Sequence, residues 1–143
     1  MSAKFYDHDV KSGLADKRKL SAYLDKLAGM HLKNVKKLIL NYIFCNDAFL
    51  LEINKKYLKH NTLTDIITFD LSESETTLEG EIYISVERVR ENAVKFETIY
   101  IDELHRVIFH GALHLCGFKD KQETDKELMR KMENKCLEEY KHL

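Results

Sequence analysis

The stretch from Asp102 to Asp120 restricts what this chain can fold into more than any other part of it. His110 and His114 stand four residues apart, so on a helix their imidazoles share one face, one turn above the other. Gly117 follows three residues later, where a helix can end in the left-handed conformation. The chain then turns back and presents Asp120. Two helical histidines and a carboxylate after a glycine turn make a three-ligand metal site with an open fourth position, the layout of catalytic rather than structural zinc. The spacing predicts a helix over Thr98–Leu115, with Ile101, Leu104, Ile108 and Leu115 as its core stripe.

Around that helix the chain has room for one core and no more. Its 143 residues predict a single domain, 1–143. Apolar residues make up 44% and charged residues 33%, the balance of an ordinary soluble protein. No apolar run approaches a membrane span and the N-terminus lacks a signal-peptide core, so a cytoplasmic protein without membrane contact is expected. Cys45, Cys116 and Cys136 are an odd, irregularly spaced set, which points to reduced thiols rather than a disulfide frame. Cys116 falls on the opposite side of the helix from His114 and is expected to fill core space. Net charge is −1, so RNA binding would have to rest on a local basic surface.

Read in order, Ala3–Tyr6 is a short strand, and Leu20, Tyr23, Leu24, Leu27 and Ala28 recur at helical spacing between Asp16 and Met30. Lys17, Arg18, Lys19 and Lys26 form that helix's solvated face. Lys37–Cys45 is a buried strand. Asn46 or Asp47 caps a helix running to Tyr57, with Phe49, Leu50 and Ile53 inward. Thr64–Phe69 and Gly80–Ser85 are strands on either side of a polar loop spanning Asp70–Glu79. Ser85 caps a helix to Lys95, with Val86, Val89 and Ala93 on its buried side. A last amphipathic helix, Thr124–Tyr140, is built on Leu128, Met132 and Leu137. The fold class that follows is α+β: a small mixed four-stranded sheet packed by about five helices, the metal site lying on a central helix and the turn after it.

Two imidazoles and a carboxylate on a zinc ion lower the pKa of a bound water to about 7. The carboxylate leaves less net positive charge than a third imidazole, so harder divalent metals become competitive. The spacing is also that of the metzincin proteases, H-E-x-x-H-x-x-G-x-x-H, but the position of their catalytic Glu is Gly111 here. Glycine cannot take a proton from water, and Glu103 is two turns away. Phosphodiester hydrolysis tolerates that loss better, because a metal and cationic groups can stabilise the oxyanion without a dedicated base.

The run His110-Gly111-Ala112-Leu113-His114-Leu115-Cys116-Gly117-Phe118-Lys119-Asp120 resembles the YbeY-type rRNA maturation endoribonucleases, whose motif reads H-G-x-L-H-L-x-G-Y-D-H. Thr64–Phe69 is similar to the family's T-D-V-L-S-F strand, Gly80–Ser85 to its G-D-I-x-I-S strand, and Asn54-x-x-Tyr57 to its N-x-x-Y element, so the resemblance covers nearly the whole chain. It implies a zinc-dependent, single-strand-specific endoribonuclease acting in rRNA processing and ribosome biogenesis, including maturation of the small-subunit rRNA 3′ end. Single-stranded RNA or rRNA and the ribosomal small subunit or its precursors are the implied partners, with no small-molecule cofactor. One zinc per chain would sit on His110, His114 and Asp120, the last standing where the family usually has histidine. Leu58 stands where the family has an arginine thought to contact substrate phosphate. Lys59 is the first candidate to replace that charge, ahead of Lys55 and Lys56, with Arg106 as the alternative from the metal-bearing helix. Asp65 and Glu81 are candidate partners for imidazole N–H groups, and His105 is expected at the surface. Two other readings stand beside this one: a non-catalytic, metal-stabilised ribosome-assembly factor, motivated by Leu58, and a metzincin-like metalloprotease, opposed by Gly111.

Overall fold

The computed structural model describes residues 1–60 and 62–143. Four runs rich in β-branched and aromatic residues form one sheet: β1 (Ala3–Asp7), β2 (Lys37–Cys45), β3 (Ile66–Asp70) and β4 (Thr77–Ser85). Their order is β1-β2-β4-β3. The β1–β2 and β2–β4 pairs are parallel, and β3 runs antiparallel along the edge of β4. Five α-helices complete the described chain: α1 (Lys17–His31), α2 (Asp47–Ile53), α3 (Val86–Lys95), α4 (Tyr100–Leu115) and α5 (Glu123–Lys141). This is the expected α+β domain with its mixed four-stranded sheet. Among the described residues no helix is long and apolar enough to cross a membrane.

The pleat of the sheet sorts side chains onto two faces. Leu40, Tyr42 and Phe44 of β2, with Leu78, Ile82 and Ile84 of β4, pack beneath α1, α4 and α5 in the main core. Ile67, Phe69, Tyr83 and Cys45 belong to a smaller cluster with Leu50 and Ile53 of α2. The Tyr42 hydroxyl donates to the Ile108 carbonyl at 2.9 Å, which ties the middle of the sheet to the middle of α4. At Gly111 the helix comes so close to the sheet that a Cβ would stand 3.0 Å from Ile66 Cδ1 and 3.1 Å from Ile82 Cγ2. A methyl there would require these side chains to give by a few tenths of an ångström, and anything larger would not fit.

Capping follows the sequence. Asn46 Oδ1 accepts from the Phe49 N–H at 2.8 Å, and Ser85 Oγ accepts from the Arg88 N–H at 3.3 Å. Boundaries differ in three places. The strand expected from Thr64 begins at Ile66, and β4 begins at Thr77 rather than Gly80. After α2 the chain does not run on as α-helix to Tyr57 but widens into a π-helical turn, Asn54–Leu58. The inner face of α5 also differs in part: its buried residues are Met129, Glu133, Cys136 and Tyr140, while the expected Met132 and Leu137 pack partly buried against the core. Leu128 is exposed. The observed stripe repeats at intervals of four, three and four, as a helix requires, but one of its members is a carboxylate.

Candidate functional site

Because α4 is helical throughout, Glu103, Arg106, His110 and His114 fall on one stripe, and that stripe faces a cavity of about 510 Å³. Thr64, Asp65 and Thr68 come to the same cavity from the β3 side, Phe96 from the end of α3, and Lys126, Arg130 and Glu133 from α5. Asp120 reaches it from the turn after α4. His110, His114 and Asp120 thus line one cleft.

The turn that carries Asp120 is built on Gly117. The Phe118 N–H donates to the Leu113 carbonyl at 3.1 Å and the Gly117 N–H to the His114 carbonyl at 3.0 Å, the two bonds of a Schellman motif. Gly117 has φ +105°, a conformation that L side chains rarely adopt. The turn folds the Phe118 carbonyl back to His114 Nδ1, 2.9 Å away. A carbonyl only accepts, so Nδ1 carries the proton and Nε2 keeps its lone pair. His110 is held in the same sense from another element. Its Nδ1 lies 2.7 Å from Glu133 Oε2, and its Nε2 lies 3.3 Å from Asp120 Oδ2.

These residues have the donor chemistry of a divalent metal site. Each imidazole gives its Nδ1–H to an oxygen, which leaves Nε2 as the nitrogen a metal would take, as in metal-binding histidines; that of His110 lies against Asp120. Two ligands on a tetrahedral zinc stand roughly 3.3 Å apart, given bonds of about 2.0–2.1 Å. The His110–Asp120 separation matches that edge. Among the described residues no three His, Cys, Asp or Glu side chains are gathered into a ready cage. His114 shares the cavity wall with the pair rather than completing a triangle with it, and Asp120 sits on a half-exposed turn.

Behind His110 lies a carboxylate that the sequence reading did not single out. Glu133 is buried, and its second oxygen takes a 3.1 Å bond from Arg106 Nη1. Arg106 also lies 4.0 Å from Glu103. Burial opposes a charged His110, but the hydrogen bond to Glu133 and the charges of Glu133, Asp120 and Asp65 outweigh it and hold the imidazole above its ordinary range. Burial raises the Asp65 carboxyl, with His110 partly offsetting it, and raises the Glu103 carboxyl, with Arg106 partly offsetting it.

The other predicted residues fall as follows. Arg106 does reach the cavity, but bound to Glu133, so it serves as a brace more than as a free cation. Lys59 is not part of the cavity wall; it ends the π-helical turn at φ 57°, and Lys126 and Arg130 of α5 are the cavity's cations besides Arg106. Lys55 and Lys56 line a different cavity, on the other face of the sheet. Asp65 reaches the wall. Glu81 does not partner an imidazole, because it accepts from the hydroxyl of Tyr83. His105 is not a surface residue but is half-buried between Phe109 and Tyr140, facing away from the cavity. Cys116 is half-buried beside Phe118 and Gly117, outside the cavity, with its thiol pushed up to about 11 by burial. Gly111 faces the sheet, so a glutamate there would meet Ile66 and Ile82 instead of a bound water.

The chain is similar to known proteins along most of its length. A family model described as Endoribonuclease YbeY matches residues 6–141. The Endoribonuclease YbeY of Flavobacterium psychrophilum is 55% identical over 98 residues, covering 68% of this chain and 69% of the relative. That of Cytophaga hutchinsonii is 43% identical over 133 residues, covering 93% and 92%. The solution structure of TM1509 from Thermotoga maritima superposes with a TM-score of 0.61 at 25% identity, covering 96% of this chain and 88% of that one.

Proposed function

Because the chain belongs to the Endoribonuclease YbeY family, we propose that it is a metal-dependent endoribonuclease that cuts single-stranded RNA in ribosomal RNA processing, including maturation of the small-subunit rRNA 3′ end. The observation that carries this reading is the matched orientation of two imidazoles. His110 and His114 each donate Nδ1–H to a fixed oxygen, which leaves Nε2 as the nitrogen for a metal, and that of His110 lies 3.3 Å from the carboxylate of Asp120.

A zinc-class ion, when bound, supplies Lewis acidity and a water of lowered pKa at neutral pH. His110, His114 and Asp120 would hold it. The chain's own part is to orient and to attract. Glu133 fixes the His110 ring and tautomer, and Arg106 neutralises Glu133 so that the carboxylate tolerates burial. Lys126 and Arg130 place positive charge on the α5 wall, where a phosphodiester would be drawn in and its developing oxyanion stabilised. The substrate would be met in the cytoplasm, on the ribosomal small subunit or its precursors.

The test is incubation of the purified chain with single-stranded RNA, with duplex of the same sequence and with casein, each with and without a chelator. Cleavage of the single strand alone, lost on chelation and restored by zinc, is expected. Cleavage of casein but not RNA would overturn the reading, and metal-independent RNA binding without cleavage would favour an assembly factor. Elemental analysis should find about one divalent metal per chain, strongly reduced in His114→Ala.

A further inference from the structure

The face of the sheet away from α4 carries a second cavity, of about 570 Å³, which the metal chemistry does not use. Its wall is the end of α2 and the π-helical turn, with Tyr83 of β4 across from them. π-helical turns are rare and occur often at functional sites. This one has a structural anchor: Asn54 is buried and its Nδ2 donates to the Thr62 carbonyl at 2.8 Å, so the turn and the following loop are held together. Tyr57, three residues on, points out of the fold with 61% of its surface exposed. Its ring stands on an aromatic row, 5.9 Å from Phe69, which is in turn 5.9 Å from Tyr83, so it is backed by rigid neighbours and not free to collapse. Lys56 Nζ lies 5.4 Å from the centroid of the Tyr57 ring, and Lys55 lies on the same wall.

An exposed aromatic ring on a rigid base, flanked by two lysines, is the chemistry of single-stranded nucleic-acid binding: the ring takes a base and the ammonium groups take phosphates. Glu52, the one carboxylate on this wall among the described residues, can accept from an exocyclic amino group and keeps phosphate on the lysine side. The location suits the same strand. β3 is a sheet edge; its Ile66 and Thr68 line the metal-site cavity, and its Phe69 packs in the apolar cluster that backs Tyr57 and Tyr83 of the second one. The chain between Tyr57 and Thr64 links the two walls. We propose that the second cavity is an RNA subsite, in which Tyr57 stacks an unpaired base of the strand while Lys55 and Lys56 contact its phosphates after it has passed the β3 edge. This rests on the endoribonuclease reading and extends it to a surface remote from the metal ligands.

The chain has no tryptophan, so Tyr57→Trp installs a single reporter at the site. Single-stranded RNA should quench that fluorescence, and an abasic ribose-phosphate strand of equal length and charge should not. In fluorescence anisotropy, Tyr57→Ala should weaken RNA binding roughly 5- to 100-fold, while Tyr57→Phe binds within about twofold of wild type. Lys55→Ala with Lys56→Ala should lower the salt slope of log affinity by about one to two. Undiminished binding by Tyr57→Ala, or equal quenching by the RNA and the abasic strand, would overturn the subsite and leave the endoribonuclease reading intact. Quenching by an acidic peptide but not by RNA would reassign the cavity to a protein. A wild-type chain that neither binds nor cuts RNA would remove both readings, and that result is visible before any Tyr57 variant is compared.

Discussion

Glu133 governs how well His110 can serve a metal, since it fixes the ring through a 2.7 Å hydrogen bond from the far side. Glu133→Gln keeps the shape but gives His110 a neutral partner whose amide can present a donor instead of an acceptor. Metal affinity is expected to fall about 10- to 100-fold, the usual cost of losing such a partner, measured by titration against a competing chelator. Unchanged affinity would make the carboxylate a packing element of α5 only. The substrate side has its own residue-scale test at Lys126 and Arg130, the cations that the cavity holds in place of Lys59. Replacing either by alanine should weaken RNA binding alike for all sequences and reduce the salt slope by about one, with metal content unchanged. At this scale the sequence was readable where partners are close in the chain. His110, His114 and Asp120 sit within one helical turn and its Schellman cap, so spacing alone brought them together. Glu133 was not readable in the same way, because its relation to His110 exists only once α5 lies across α4. The available signal was a stripe of Met129, Glu133, Cys136 and Tyr140 with a carboxylate in an apolar row, and the choice of Leu128 and Met132 as the inner face hid it.

At the scale of elements, the contact of α4 with the sheet explains why a chain with protease-like histidine spacing lacks the protease glutamate. Position 111 is a close approach, with Ile66, Ile82 and Thr68 methyl groups 3.0 to 3.4 Å from where a Cβ would be. Gly111→Ala should cost little, since a gain in helix propensity of about 1 kcal/mol works against overpacking of about 1–3 kcal/mol. Gly111→Glu should cost more than about 3 kcal/mol, because it drives a carboxylate into an apolar contact that has no partner for it. Urea unfolding of both variants measures the difference, and a Gly111→Glu protein as stable as wild type, or one that cleaves casein, would defeat the packing argument. Element types were legible from composition: β2 spans Lys37–Cys45 as its run of Leu, Ile, Tyr and Phe indicates, and the Asn46 and Ser85 caps fall where their side chains can accept a helix N–H. The widening at Asn54–Leu58 was not, since the apolar positions Phe49, Leu50 and Ile53 end before it and a single i→i+5 turn is too short to set up a period of its own.

For the molecule as a whole, the strand order could not be read from the chain, because parallel pairing of β1, β2 and β4 is decided by which helices cover which face. The same packing puts His105 where its spacing on α4 did not suggest. It is wedged against Phe109 and Tyr140, with ring centroids 6.1 and 5.0 Å away, and its Nε2 is buried with no hydrogen-bond partner among the described residues. Burial lowers its pKa below the ordinary 6.5, with Lys19 adding to the shift and Asp102 and Asp16 opposing it. A depressed histidine pKa means that the fold binds the neutral ring. The stability it contributes is complete above pH 6.5 and is lost as pH falls through the folded value, with a slope of up to about 1.4 kcal/mol per pH unit for one proton. His110 has the opposite sign, because its pKa is raised; its contribution is present below pH 6.5 and fades as pH rises through the folded value. Comparing wild type with His105→Phe cancels that second term, since His110 is common to both. Phenylalanine keeps the aromatic contacts and removes the titrating group, so the variant should match wild type within about 1 kcal/mol near pH 8. Its advantage should then grow as the pH is lowered from 6.5 to 5. Urea unfolding at closely spaced pH values reads the slope directly. Parallel curves for the two proteins would show that His105 titrates alike in the folded and unfolded chain, and the acid sensitivity would then belong to His31, the other histidine whose pKa burial lowers.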